Sequence, residues 1–244
     1  LGLPSLNGLM LVLSAKTGVT QAVLLDNGYL TAVRTAAAGA VAARWLARPD
    51  AKRAAVIGAG EQARLQLQAL TLVRDIEAVT VWARKQASAE RLAADVRETL
   101  GLSCEVASDV GAALRCADIA ITTTPSREPL VGPGDLHPGL HITAMGSDAE
   151  HKNEIAPAAL AQARYICDRL SQTRVLGELR HAIESGVCER DAVFPELGAI
   201  VARDNEMGLL SNGPGYMRIP RVLYGLGLLA APVELPLTVQ DASG

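Results

Sequence analysis

Aromatic side chains are scarce, at 3% of 244 residues with a single phenylalanine. The core must therefore be built from Ala, Leu, Val and Ile, and 49% hydrophobic content is enough to fill a sizeable one. A strong excess of charge of one sign is also missing. The net charge is −3, with no long basic run, which argues against a nucleic-acid surface. The four cysteines (Cys104, Cys116, Cys167, Cys188) form no C-x-x-C pair. They read as reduced thiols of a cytoplasmic protein, not as a metal site or a disulfide framework. No signal peptide is recognisable. The longest apolar stretch near the end, Val222 to Ala231, is too short to span a membrane. The sequence opens on Leu1 without a methionine, so an upstream portion is expected to be missing.

What the chain does have is a glycine loop in a revealing context. The apolar run Ala54 to Ile57 leads into Gly58-Ala59-Gly60-Glu61-Gln62-Ala63, and an amphipathic segment, Gln62 to Val73, leads out. This is G-x-G-x-x-A between a strand and a helix, the alanine variant of the dinucleotide fingerprint. Gly58 allows the tight turn, Gly60 allows the backbone to approach a pyrophosphate, and Ala63 allows the helix to pack close on the strand. The helix N-terminus supplies amide donors and positive dipole for the phosphates.

Beyond Arg53, strands and helices alternate. Strands are expected at Ala54–Ile57, Val79–Trp82, Cys104–Val106, Ile119–Thr122, His141–Ala144 and Tyr165–Cys167. Helices are expected at Gln62–Val73, Ala87–Leu100, Val110–Arg115 and Pro157–Ala163. Such alternation implies an α/β, Rossmann-type, doubly wound parallel sheet that binds ligands outside the carboxyl ends of its strands. Before it, Leu6–Leu13 and Gln21–Leu25 read as an antiparallel hairpin, and Thr31 opens a helix that stops near Pro49.

Candidate functional residues follow from that placement. Thr122-Thr123-Thr124 ends one strand and Met145-Gly146-Ser147-Asp148 ends another. Asp148 is either a turn residue beside Gly and Ser, or a carboxylate placed to exchange protons at the crevice mouth. Arg34, in the first turns of its helix, is either solvated or a guanidinium for a carboxylate or phosphate. The second strand runs into Ala83-Arg84-Lys85 with no acid at its end, where a carboxylate would hold a ribose 2′-hydroxyl. Arg84 and Lys85 are either solvated bases or partners for a 2′-phosphate, which leans the cofactor from NAD toward NADP(H). His137 and His141 are separated by Pro138 and Gly139, which exclude a helical metal pair, and they read as structural.

Gly2-Leu3-Pro4, Leu30 to Ala37 with its R-T-A-A core, the Gly58–Ala63 loop with Gln62, and Ala144 to Asp148 followed by Lys152-Asn153-Glu154 occur in one order. Together they resemble the ornithine cyclodeaminase/μ-crystallin family over roughly Gly2 to Ala202. The segments Gly2–Leu13 and Leu24–Leu46 are most similar to the branch linked with ectoine utilisation. The resemblance implies a Rossmann domain, here residues 49–202, inserted into a smaller α+β substrate and dimerisation domain. Residues 1–48 and a divergent return, residues 203–244, would supply that smaller domain. It implies that Arg34 holds the substrate carboxylate, Thr35 a cofactor phosphate, and Asp148 the acid/base role. Lys152 would lie beside the cofactor, as would Thr123, Thr124, Met145 and Gly146.

The activity implied is nicotinamide-dependent chemistry at the α-carbon of a small amino acid or cyclic imine. That means deaminating cyclisation, a ketimine or imine reduction or amino-acid dehydrogenation, or cofactor binding with little turnover, as in the crystallin members. Two departures stand out. Family members begin upstream, in a portion carrying a further substrate arginine and a lysine. After Ala202 this chain lacks the usual Gly-Arg turn and threonine-rich strand. The hairpin's open edge predicts self-association through residues 6–25, as a homodimer.

Overall fold

The computed structural model describes residues 7–206. Its centre is a five-stranded parallel sheet: β3 (Arg53–Ile57), β4 (Ala78–Trp82), β5 (Ser103–Val106), β6 (Ile119–Thr122) and β7 (His141–Ala144), in the spatial order β5-β4-β3-β6-β7. The chain works outward from β3 to β5, then crosses back to β6 on the other side of β3. That reversal opens a crevice between the carboxyl ends of β3 and β6, where open α/β sheets bind ligands.

Side chains alternate across β3, and each set meets a different helix layer. Ala54 and Val56 face Ala63, Leu67 and Leu70 of α2 (Glu61–Thr71) and Ala89, Leu92, Ala93 and Val96 of α3 (Gln86–Leu100). Ala55 and Ile57 face Val110, Ala113 and Leu114 of α4 (Val110–Leu114) and Ala159 of α5 (Pro157–Gln162). The sheet is covered on both faces, so its strands read as apolar runs.

Outside this sandwich, α1 (Tyr29–Leu46) lies on α2 through Ala32, Val33, Ala36 and Ala40 against Leu65 and Ala69. Alanines at successive turns let the two backbones approach closely. The helix begins two residues before the expected Thr31. Asp26 captures its start, accepting from Tyr29 N at 3.0 Å through its carbonyl and from Leu30 N at 2.7 Å through its carboxylate. At its end, the Arg74 guanidinium donates to the carbonyls of Arg44 and Ala47 at 2.6 and 3.0 Å, caring for acceptors that a helix terminus leaves open.

The hairpin forms as β1 (Met10–Leu13) and β2 (Thr20–Leu24), antiparallel as expected and shorter than the apolar runs suggest. Leu11, Leu13 and Val23 are each more than half exposed. One expected strand does not form. Tyr165–Cys167 makes only an isolated bridge, Cys167 to Glu196. Cys167 N donates to Pro195 O at 3.1 Å, Leu197 N donates to Cys167 O at 2.8 Å, and the Tyr165 ring meets Phe194 edge-on at 5.2 Å. The segment folds back on its own downstream chain instead of extending the sheet beside β7. Three helices were not expected: α6 (Leu170–Thr173), α7 (Glu178–Glu184) and α8 (Leu197–Glu206). The expectations for residues 1–6 and 207–244 lie outside the described residues.

His137 and His141, read as structural, both lie within hydrogen-bonding distance of atoms of the fold itself. His137 Nε2 lies 3.2 Å from Leu114 O, and His141 Nε2 lies 2.9 Å from Thr143 Oγ1. Burial, with a smaller push from the Arg74 charge, lowers the His141 pKa to about 4. The folded state thus resists a proton that the unfolded chain accepts below its ordinary pKa near 6.5. His141 therefore costs nothing at neutral pH and removes about 2–3 kcal/mol of stability as pH falls from about 6.5 to 4. A His141→Gln variant should show a flatter loss of stability in urea titrations across that window. Identical slopes would place the imidazole in contact with water.

Candidate active site at the carboxyl edge of the sheet

Gly58 is forced by its surroundings. Its φ is 124°, and a Cβ there would sit 2.5 Å from Thr123 Oγ1 and 3.1 Å from Thr123 O. Its amide donates to Trp82 O at 2.8 Å, and Thr123 N donates to Ile57 O at 2.9 Å, so the ends of β3, β4 and β6 are tied together under the turn. Gly60 caps α2 with ordinary extended backbone, and a Cβ there would meet nothing within 4 Å. The space beside it is open. No side chain caps this helix, which leaves its first-turn amides directed at that space. Ala63 is fully buried in the layer between α2 and the sheet. Each of the three small residues thus has the environment that the fingerprint requires.

The cleft beside Ala59 and Gly60 continues between α2 and α3, lined by Glu61, Arg64, Ser88, Arg91 and Asp95. Arg91 donates to Ser88 Oγ at 3.2 Å. Arg84 stands exposed just past β4, with no hydrogen bond or ion pair among the described residues. Arg64 and Arg91 were not expected as site residues. The signal available was their spacing, one turn into each helix behind a strand-end loop.

Gln62 turns away from the cleft. Its Nε2 donates to Ala32 O at 3.0 Å, and Gln66 Nε2 donates to Thr35 O at 3.1 Å. The helix carrying Arg34 and Thr35 is thereby clipped to the helix carrying the glycine loop. Arg34 is exposed and free of polar partners among the described residues. The Thr35 hydroxyl donates to Thr31 O at 2.8 Å, so it must rotate away before it can donate to a phosphate.

Across the crevice, the loop after β7 carries Met145, Gly146 and Asp148. Met145 packs against the buried layer around α2, and its amide donates to Thr122 O at 2.9 Å. Asp148 is exposed, and its carboxylate accepts from Lys152 Nζ at 2.5 Å. No hydrogen bond or ion pair joins Asp148 to Arg34 among the described residues. The loop is braced from below. His181 Nε2 lies 2.7 Å from Lys152 O and therefore carries the ring proton, and Arg180 donates to Glu150 O at 2.7 Å. Ser147 Oγ donates to Lys152 O, also at 2.7 Å.

Two buried carboxylates complete the arrangement. Glu154 is fully buried and accepts four hydrogen bonds, from Thr122 Oγ1, Thr124 N, Thr124 Oγ1 and Gly146 N, at 2.6–2.8 Å. Burial pushes its pKa up, and those four donors pull it back. Glu178, on α7, accepts from Glu154 N at 2.9 Å and Ile155 N at 3.2 Å, and burial raises its pKa as well. Sequence reasoning placed Glu154 only within a motif and missed Glu178. The period Leu179, Ala182, Ile183 could have shown the helix, but nothing in sequence distinguishes a buried glutamate from a solvated one.

The family model for the ornithine cyclodeaminase/mu-crystallin family matches residues 1–206, most of the chain. This chain belongs to that family. It is 58% identical over 202 residues to a Rhizobium meliloti protein named only as a dehydrogenase, covering 83% of this chain and 61% of that protein. It is 55% identical over 203 residues to an uncharacterized cyclodeaminase of Sinorhizobium fredii, with the same two coverages. Among solved structures, the Δ1-pyrroline-2-carboxylate reductase of Thermococcus litoralis in complex with NADH and L-proline superposes with a TM-score of 0.78 at 32% identity. That match covers 83% of this chain and 62% of the reductase. The chain therefore spans about three-fifths of the length of its relatives.

Proposed function

We propose that this family member is a nicotinamide-dependent enzyme acting at the α-carbon of a small amino acid or cyclic imine, by ornithine cyclodeaminase-like chemistry. The observation that carries the reading is the crevice itself. A forced glycine turn and an uncapped helix N-terminus adjoin an open cleft, and at the same carboxyl edge of the sheet the loop after β7 presents Asp148 and Lys152. A dinucleotide fits the first three features, with Gly58 to Ala63 at its pyrophosphate. Thr123, Thr124, Met145, Gly146 and Lys152 would then line its nicotinamide half.

When bound, the nicotinamide supplies hydride transfer from and to the substrate carbon. The protein's part is to hold and to move protons. Arg34, unpaired among the described residues and on the helix clipped to α2, would hold the substrate carboxylate in a bidentate fork. Asp148 would take a proton from the substrate amine and return it, with Lys152 keeping the carboxylate oriented. In deaminating cyclisation the distal amine of the substrate would replace its α-amine, ammonia would leave, and the reaction would carry no net redox change. The second reading, imine reduction, uses the same groups in one direction. It is favoured by the likeness to a reductase solved with NADH and L-proline. A third reading, dinucleotide binding with little turnover, needs only the cleft.

The deciding experiment gives the full-length protein a panel of amino acids and cyclic imines, followed for ammonia and for absorbance of the reduced nucleotide. Ammonia release with no net absorbance change identifies the cyclodeaminase, and net NAD(P)H consumption identifies the reductase. Binding with neither identifies the third reading. Absence of binding to both NADH and NADPH would overturn the proposal.

The finer cofactor choice leans to NADP(H), because Arg84 stands just past β4 where an acid would otherwise hold a ribose hydroxyl, and Arg64 and Arg91 line the adjoining cleft. Glu61 and Asp95 line it as well, so Arg84 carries the distinction. Arg84→Ala should weaken NADPH binding by about 1.5–3 kcal/mol, the range for a hydrogen bond to a charged group, and barely change NADH. Equal losses for both nucleotides in titration calorimetry would sink the NADP(H) assignment. A homodimer through the exposed hairpin, and a cytoplasmic location, complete the proposal.

A further inference from the structure

The carboxylate of Glu154 lies directly beneath the loops after the neighbouring strands β6 and β7, which meet on one side of the crevice. Its two oxygens divide their partners. Oε1 accepts from the amide and the hydroxyl of Thr124, in the loop after β6. Oε2 accepts from the Gly146 amide, in the loop after β7, and from Thr122 Oγ1 at the end of β6. Gly146 has no side chain where one cannot fit, since a Cβ would lie 2.4 Å from Thr124 O and 2.5 Å from Glu154 Oε2. The two loops therefore meet over the carboxylate with no room for a side chain at position 146.

The carboxylate is itself fixed by its backbone. Its amide donates to Glu178 Oε1, and its carbonyl accepts from Leu130 N and Val131 N at 2.8 and 3.0 Å. Among the described residues it has no lysine or arginine partner. A buried carboxylate without a countercharge is costly unless every lone pair is used. Two apolar residues could brace two loops more cheaply. What they could not do is fix the backbone amides of both loops in direction as well as in distance.

We infer that Glu154 is a positioning residue, which locks the loops after β6 and β7 into one rigid unit at the mouth of the crevice. This inference rests on the functional reading above for its catalytic consequence, and on geometry alone for the locking. The unit sets where Met145, Gly146 and Asp148 stand relative to Thr123 and Thr124. A misplacement of about 1 Å of a reacting group can cost on the order of a hundredfold in rate.

The substitution that tests it is Glu154→Gln, because each carboxylate oxygen accepts from a backbone N–H. A glutamine amide must turn its own N–H2 toward one of those donors, so one loop is released whichever way it flips. In hydrogen-exchange mass spectrometry without nucleotide, peptides covering residues 122–126 and 144–148 should exchange at least tenfold faster than in the parent protein. Unchanged protection of both peptides would overturn the locking. With saturating nucleotide and substrate, at a temperature where circular dichroism shows the variant folded, kcat should fall at least tenfold with KM within about threefold. A variant with lowered Tm and a kcat within twofold of the parent would make Glu154 a thermal brace only, and overturn the inference.

Should Glu154→Gln fail to fold, Thr122→Val serves in its place. It removes one donor from a fully buried site without changing shape, and should accelerate exchange at the same two peptides and lower kcat severalfold. Unchanged values in both would overturn the inference. If the parent protein binds no nicotinamide dinucleotide, the functional reading fails separately, and the exchange measurement still decides the locking.

Discussion

Asp148→Asn should lower turnover by about 10²–10⁴, the range for loss of a positioned general acid or base, while leaving dinucleotide affinity in place. The substitution keeps the side chain's shape and removes its ability to take a proton. It also removes the ion pair to Lys152, but Asp148 is 73% exposed there. Pairs of that kind contribute at most about 1 kcal/mol, and the loop keeps its bonds to Glu154, Arg180 and His181. The melting temperature should therefore hardly move. Steady-state rates on whichever substrate the panel identifies, alongside calorimetric titration with NADH and NADPH, provide the check. Near-normal turnover would return Asp148 to the role of a turn residue.

The second large effect separates two glycines of one motif. Gly58→Ala should destabilise the protein by about 2–4 kcal/mol, combining backbone strain at positive φ with a collision against Thr123. For a chain of this size that is a fall of about 5–15 °C in Tm. Dinucleotide affinity should fall at least about a hundredfold, because the turn that aims the α2 amides is displaced. Gly60→Ala should behave oppositely in stability. Its φ of −93° suits alanine and its Cβ would enter open space, so Tm should stay within about 1–2 °C of the parent. Only the ligand would meet the new methyl, and affinity should drop there too. Differential scanning calorimetry with and without nucleotide reads both variants. A stable, tightly binding Gly58→Ala would refute the account of the turn. A destabilised Gly60→Ala would show that the space beside α2 is already filled.

That contrast also marks how far the sequence could be read. The order of strands and helices from Ala54 to Ala144 was legible, because the central strands β3 and β6 are short apolar runs buried on two faces and helical periods separate the strands. The ends of the helices differ from expectation by one or two residues, where caps such as Asp26 decide the boundary. Past Ala163 the signal weakened. Tyr165 to Cys167 has the composition of a strand, but its partner is a loop thirty residues later, a pairing that no local pattern encodes. The candidate residues on strand ends could be placed from sequence because topology sets the ends of parallel strands along one edge. Glu154 and Glu178 were not found as site residues, because their importance lies in being buried, and burial of a glutamate is decided by partners distant in sequence. Arg64 and Arg91 likewise needed α2 and α3 to be set side by side before they lined one cleft.

The poverty in aromatics has a practical outcome. Of the two tryptophans, Trp45 lies on α1, and Trp82 ends β4 with its carbonyl taken by the Gly58 amide. The Trp82 backbone thus holds the very turn that a dinucleotide would press upon, while its indole packs on the layer around α4. A reduced nicotinamide absorbs where tryptophan emits. Quenching of the intrinsic emission, compared between the parent and a Trp45→Phe variant, should therefore act as an optical gauge of nucleotide arrival that needs no label.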